Sequence, residues 1–216
     1  MGKINVYLPD DLEAEVKGTG LAVSAVCQAA LRSAVDRIVG ARAGDPARGA
    51  FTPRLAAILD KRRNQGRPVE AHDVVCGIIK HGENLGARLL TSFGVELPEP
   101  DPTPADGGDA ELTDGARHLL EAAARLALEL RHDQVGTEHV VIAAAEGADP
   151  LHADMYRALG VTPRLLREQL DRFLANPWTT ATVEPEPDQG FLRKLEAELH
   201  RLADEVQELK ERGREH

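Results

Sequence analysis

Two unequal copies of one helical pattern occupy the middle of this chain, and they constrain the fold more than any single motif does. The first copy runs from Phe51-Thr52-Pro53-Arg54 through Ile58-Leu59 and His72-Asp73-Val74-Val75 to Phe93-Gly94-Val95. The second runs from Leu112-Thr113-Asp114-Gly115 through Leu119-Leu120 and His139-Val140-Val141-Ile142 to Leu159-Gly160-Val161. Matching landmarks stand 61 residues apart at the start and 67 at the histidines, which gives the second copy about six extra residues in its first helix. Fixed self-similarity of this kind means two related helical units, here separated by a spacer.

Composition narrows the class. Hydrophobic residues make up 42% of the 216, but aromatics only 3%, so the cores are built from Ala, Leu and Val, which favour close helix packing. The net charge of −10 argues against a protein that coats nucleic acid nonspecifically, while leaving room for a local site. Cys27 and Cys76 each sit in an apolar run without zinc spacing and read as two buried free thiols in a reducing compartment. With no apolar leader and no run of eighteen apolar residues, the expected location is the cytoplasm, away from any membrane.

Residues 3–8 alternate polar and apolar, the pattern of a short strand burying Ile4, Val6 and Leu8. Pro9-Asp10-Asp11 opens a helix that ends at Gly18-Thr19-Gly20, and a second helix starts with Ser24 as N-cap and carries Val26, Cys27, Ala30, Leu31, Ala34, Val35 and Ile38 at helical spacing. One strand and two helices cannot bury this much apolar surface alone, so the unit calls for a partner chain. This stretch resembles a ribbon-helix-helix domain of the antitoxin and repressor kind. The resemblance implies a homodimer whose paired strands enter the major groove of double-stranded operator DNA. By alternation Lys3, Asn5 and Tyr7 would then face the DNA, and the amides of Val23, Ser24 and Ala25 would hold a backbone phosphate. Residues 1–43 carry five basic and five acidic side chains, so DNA affinity would rest on the strand's polar triad rather than on charge.

Both repeats resemble the double repeat of the Clp N-terminal domain, the substrate- and adaptor-binding module that precedes the ATPase rings of Clp unfoldases. The second copy carries it best: a Thr start, a helix face of Leu119, Leu120, Ala123, Leu126, Ala127 and Leu130, then Gly136-Thr137-Glu138-His139 before an apolar helix. Thr137 can cap exposed amides there, and Glu138 complements the helix dipole. In the first copy the corresponding stretch reads Val69-Glu70-Ala71-His72, after a shorter, basic helix containing Lys61, Arg62 and Arg63. In relatives that recognise phosphorylated arginine the glutamate of this motif contacts the guanidinium, so the resemblance implies a ligand site at Thr137, Glu138 and His139, with Glu138 as the contact. Both His72 and His139 read as helix-start histidines held by internal hydrogen bonds.

The spacer places prolines at 98, 100, 102 and 104 among acids, an extended path standing where the second copy has its fourth helix, Thr162 to Leu174. It predicts a looser groove between the copies, open to a peptide or a small cyclic ligand. After a second linker, Leu192, Leu195, Leu199, Leu202, Val206 and Leu209 form an a/d seam over three heptads, with Glu205 and Lys210 flanking it. That seam either pairs between chains or docks on its own repeat domain.

The expected architecture is mostly α with a short N-terminal β-strand. It comprises a dimerising, DNA-binding domain (1–43), a linker (44–50), and a double repeat (51–174, divided into 51–97, a spacer at 98–111, and 112–174). A linker (175–190) and a coiled-coil-like helix (191–212) complete it. No phosphate loop, Gly-x-Ser-x-Gly elbow, His-Glu-x-x-His pair or base-partnered cysteine appears, so neither catalysis nor a metal or cofactor is expected. The functional expectation is a homodimeric transcriptional regulator, a repressor of its own or another promoter, whose repeat domain binds Clp ligands such as phosphoarginine-marked proteins, peptides or adaptors, or components of the Clp protease. The other reading is a non-transcriptional adaptor or decoy that uses its N-terminal unit only to dimerise.

Overall fold

A computed structural model describes residues 7–19, 21–95, 110–175 and 201. Two N-terminal helices, α1 (Asp10–Thr19) and α2 (Val23–Ala43), lead into the first repeat: α3 (Pro53–Arg63), α4 (Ala71–His81) and α5 (Leu85–Thr91). The second repeat follows as α6 (Asp114–Glu129), α7 (Thr137–Ala143), a wide helical turn (Ala144–Ala148), α8 (Pro150–Ala158) and α9 (Pro163–Ala175). Most of the spacer and all but Arg201 of the C-terminal helix expected over 191–212 lie outside the described residues.

The expected mixture of strand and helix is corrected to an all-helical fold. Among the described residues there is no strand, and the only extended pairings are two single bridges within the repeats. Tyr7 and Leu8, the end of the expected strand, are described and take part in neither, while residues 3–6 lie outside the described residues. Alternation in sequence marks a strand only where another strand supplies the ladder, and no described segment supplies one.

The two repeats start alike. Thr52 caps α3 by accepting from Leu55 N–H at 3.3 Å, and Thr113 caps α6 by accepting from Ala116 N–H at 3.3 Å. The segments ahead of these caps cross over. Phe51 pairs with Val135 of the second repeat, and Leu112 pairs with Val69 of the first, both in parallel sense. Thr52 N–H donates to the Val135 carbonyl at 2.9 Å and Val135 N–H to Ala50 at 2.8 Å. In the mirror position Val69 N–H donates to Glu111 at 2.9 Å and Thr113 N–H to Val69 at 3.0 Å. Each repeat thus lends its leading segment to the other.

This exchange closes one core. Leu55, Ile58, Val74, Ile78, Leu89 and Leu90 from the first repeat are fully buried in the same cluster as Leu119, Leu120, Leu126, Val140, Ile142 and Leu166 from the second. The looser arrangement expected from the spacer is not what the chain adopts, because the crossover pairs tie the repeats together ahead of α3 and again ahead of α6.

Helix α2 runs onto the second repeat along α6, with Gly40 and Ala41 buried. A Cβ at Gly40 would lie 2.5 Å from the Arg48 backbone, so only glycine allows the chain to turn back this closely. Arg37 donates to the His132 carbonyl at 2.8 Å, and Arg63 to the Gly44 carbonyl at 3.1 Å. Ala22, not Ser24, is the N-cap, and no side chain caps this end. The rest of the α1–α2 apolar surface is open: Leu12, Val23, Val26, Leu31, Val35 and Val39 are all exposed. Cys27 and Cys76 are half-buried free thiols rather than fully buried ones.

A shared core makes the repeats unfold together. Leu59→Ala in the first repeat and Leu120→Ala in the second are each expected to cost about 2–5 kcal/mol. Both should move the same single urea transition, followed by circular dichroism. Two transitions, each sensitive to only one substitution, would contradict the fold.

Candidate functional site

The turn that starts α7 gathers the expected ligand residues, and its geometry resets the correspondence between the repeats. Helix α4 is capped at Glu70 and α7 at Gly136. Three residues on, the side chain reaches back to the cap amide in both: Glu70 N–H donates to Asp73 Oδ2 at 3.0 Å, and Gly136 N–H to His139 Nδ1 at 2.8 Å. Asp73 is therefore the counterpart of His139, and His72 the counterpart of Glu138. The matching histidines of the sequence are one position out of register. Helix α3 has 11 residues and α6 has 16, so the second copy is longer by five, not six.

In the first repeat Arg67 forms a two-pronged ion pair with Asp73, with Nη1 to Oδ2 at 2.8 Å. Burial raises the Asp73 carboxyl, but the bonds from Arg67 and the Glu70 amide outweigh it and hold the group below its usual range. In the second repeat the same place holds a neutral pair, His132 Nδ1 and His139 Nε2 at 2.8 Å, with the rings edge to face. Since His139 Nδ1 accepts from Gly136, its proton sits on Nε2 and is donated to His132 Nδ1. Burial, then the neighbouring His132, push His139 down to about 4.

The three named site residues play different parts. Thr137 is buried and does not cap its own helix. Its Oγ1 accepts from Gly86 N–H of α5 at 3.0 Å, pinning the first repeat to the second. A Cβ at Gly86 would stand 2.7 Å from the Thr137 carbonyl oxygen, which requires glycine at this contact. His139 is wholly buried and orders the turn. Glu138 alone reaches the rim, and its carboxylate folds back over Gly136, where an added Cβ would meet both oxygens at 2.3 and 2.4 Å. Burial raises the Glu138 carboxyl, partly offset by bonds from its own amide and from Thr137. Its Oε1 lies 3.2 Å from His139 Nδ1.

His132, Glu138 and His139 come close enough to suggest a metal site. They nevertheless form a line, with Glu138 on the Nδ1 side of His139 and His132 on the Nε2 side. Both His139 nitrogens are already engaged, Nδ1 by the Gly136 amide and Nε2 by His132, so His139 has no lone pair left for an ion. Sequence reading passed over His132, whose role depends on a loop contact seven residues ahead of its partner.

The expected DNA-facing residues are not assembled into a described surface. Lys3 and Asn5 lie outside the described residues, and Tyr7 is 93% exposed. Val23, Ser24 and Ala25 do occupy the first turn of α2, but Val23 N–H donates to the Leu21 carbonyl at 2.9 Å and is not directed at a phosphate. Among the described residues no helix is long and apolar enough to cross a membrane.

Residues 111–215 match the family described as the Clp repeat (R) N-terminal domain. Over 173 residues, 72% of this chain and 19% of the relative, it is 25% identical to the chloroplastic chaperone protein ClpC1 of Arabidopsis thaliana. Over 145 residues, 59% of this chain and 17% of the relative, it is 23% identical to the chaperone protein ClpB of Oceanobacillus iheyensis. A third relative is the chloroplastic ClpA homolog of Brassica napus, an ATP-dependent Clp protease ATP-binding subunit, at 25% identity over 62% of this chain and 17% of the relative. The chain spans less than a fifth of the length of these relatives. These matches support the resemblance to the Clp repeat domain and do not show a ribbon-helix-helix unit.

His139 gives the fold a pH dependence with a definite sign. Unfolded histidine binds its proton near 6.5 and folded His139 only near 4, so between these values the unfolded state holds more protons. The contribution is full above pH 6.5 and is lost as pH falls toward 4, by up to about 3 kcal/mol. Urea midpoints over this range should fall with acidification in the wild type, and His139→Gln, less stable at neutral pH, should flatten the slope by about one proton. An unchanged slope would remove His139 as its source.

Proposed function

We propose that this chain is a non-catalytic Clp-repeat receptor with one competent binding turn, in the second repeat, and that it works as a pair of chains joined through α1 and α2. The observation that carries the reading is the asymmetry at the N3 turns. The second repeat keeps Gly136, Thr137, Glu138 and His139, of which Glu138 is partly exposed, whereas the first puts Glu70, Ala71, His72 and Asp73 there and neutralises Asp73 with Arg67. A guanidinium-bearing ligand, phosphoarginine in a marked protein or peptide, fits Glu138 once its carboxylate turns outward from Gly136. The relatives are named as chaperones and as an ATP-binding subunit of a Clp protease, and a receptor of this kind would compete for their ligands or present ligands to them. Leu31 and Val35, one turn apart on α2, are exposed apolar side chains that a second copy would cover.

A second reading is the transcriptional regulator. It is favoured by the start of α2, which lacks a side-chain cap and leaves first-turn amides available to an anion such as DNA phosphate. A mobility shift on the chain's own upstream DNA at low salt, abolished by Ser24→Asp, would support it. Absence of any specific shift would leave the receptor alone.

Titration of phosphoarginine by calorimetry tests the receptor. Loss of one charge-assisted bond of about 1.5–3 kcal/mol should weaken Glu138→Ala roughly 10- to 100-fold. Gly136→Ala, which displaces the folded-back carboxylate toward solvent, should keep or improve the affinity. Equal affinity of wild type and Glu138→Ala would remove Glu138 from the site. By sedimentation the wild type should be a dimer and the double variant Leu31→Glu, Val35→Glu a monomer.

A further inference from the structure

The short basic end of α3 takes no part in the α7 turn. Lys61, Arg62 and Arg63 close that helix, and Arg63 is held by the Gly44 carbonyl. Lys61 and Arg62 instead line a cleft between α3 and α4, which Lys80 and His81 enter from the last turn of α4. The cleft measures about 390 Å³ counted out to its open mouth. Gly77 forms part of its wall, and an added Cβ there would stand 2.9 Å from Arg62 Nε and 2.8 Å from Ile58 Cγ2. The missing side chain at 77 is what lets the arginine lie down across α4.

Helix electrostatics alone does not account for this gathering. Each helix ends in roughly half a negative charge, so the two ends offset about one cation, whereas Lys61, Arg62 and Lys80 bring three. Among the described residues neither Lys61 nor Arg62 has a carboxylate within ion-pair distance, and the neighbouring acids Asp60 and Glu83 are exposed and line no part of the cleft. His81 adds a buried nitrogen, Nδ1, without a hydrogen-bond partner. A polar atom left in that state costs stability, and a ligand that bonds to it removes the cost.

The fold packs without these groups. Counted from the helix caps, Lys61, Arg62 and Gln65 correspond to Ala122, Ala123 and Leu126, and Gly77 to Ala143. Ala123, Leu126 and Ala143 are buried, so the second repeat closes the same place with apolar side chains. Lys80 corresponds by the same count to Glu146, an acid already bound by Arg167. In a chain of net charge −10, the first repeat alone keeps a cleft walled by cations.

We propose that the α3–α4 cleft binds a phosphate group, free or as the monoester of a small molecule. Arg62 supplies the forked contact, Lys61 and Lys80 flank it as point charges, and His81 donates in its Nδ1–H tautomer. A compact dianion presents oxygens to a guanidinium fork and to ammonium groups at once. An extended acidic peptide would need a longer basic track than two helix ends supply. The site stands apart from Glu138 and does not rest on the receptor reading. It gives the first repeat a ligand of its own where Arg67 and Asp73 have closed the N3 turn.

Calorimetric titration of the full-length protein with inorganic phosphate, at constant ionic strength in potassium chloride, should show saturable binding of one phosphate per chain. Arg62→Gln should weaken it about tenfold or more. Arg54→Gln removes the same charge from the exposed start of the same helix and should stay within about twofold of the wild type. Should Arg62→Gln fail to fold by circular dichroism, the exposed Lys61→Gln should still weaken binding severalfold. Glu138→Ala should bind phosphate like the wild type, which separates this site from the α7 turn. In a parallel arm with glycerol 3-phosphate, the tighter of the two ligands names the source. Absence of saturable binding overturns the proposal, as does equal weakening by Arg54→Gln and Arg62→Gln. Displacement of phosphate by a polyglutamate peptide at lower concentration than by glycerol 3-phosphate would assign the cleft to acidic protein segments and overturn it too.

Discussion

The structure depends on two exchanged backbone pairs, each repeat's leading segment bonding to the stretch before the other's second helix. Phe51 beside Val135 and Leu112 beside Val69 are only single bridges, but they sit at both ends of the same junction. Together they relate the repeats by an approximate twofold and fix how deeply α4 and α7 enter the shared core. The apolar surface of one repeat is then covered by the other, so neither half needs a core of its own. The repeats are held by hydrogen bonds near residues 51, 69, 112 and 135.

Within that near-symmetry the chemistry is unequal. One N3 turn is an ion pair, Arg67 with Asp73. The other joins His139 to His132 by a hydrogen bond, with Glu138 on the far side of His139. An aspartate paired with arginine is satisfied and turned inward, which suits a structural end. A buried histidine that cannot easily take a proton beside a carboxylate raised by burial stores electrostatic tension at a rim, which suits a site that changes on binding. The second helical caps differ too, since Asp149 holds His152 in a buried bond where the equivalent positions of α5 are Asn84 and Ala87.

Much of this was legible from residues. The threonine starts, the apolar helix faces and the shortened first helix gave the repeats, because capping and helical periodicity are local. Register at the second turn was not. His72 and His139 look like equivalents, but the position is defined by which side chain reaches back to the cap amide, and aspartate does this as well as histidine. Ser24 looked like a cap for the same local reason, and Ala22 starts the helix instead. The strand expected over residues 3–8 failed as a basis for fold class, since alternation supplies no pairing partner and the described chain has none. Cys76 read as a buried free thiol and is half-buried instead.

The two ends of the molecule meet at one residue. Arg37 of α2 donates to the carbonyl of His132, and the ring of the same His132 accepts from His139 at the start of α7. A ligand that draws Glu138 away from Gly136 alters the surroundings of His139, then the ring of His132, and through its backbone the seat of α2. The open apolar face lies on that same helix, so its presentation and the turn share a mechanical link only a few bonds long. Such a link becomes coupling only if α2 has two seats on α6 of unequal affinity for ligand. The bond from Arg37 to the His132 carbonyl and the ion pair of Arg42 with Glu121 at 3.8 Å are what such an alternative would have to break. The α2–α6 contact, more than either rim, is therefore where binding in the repeats could be converted into a change in how two chains pair.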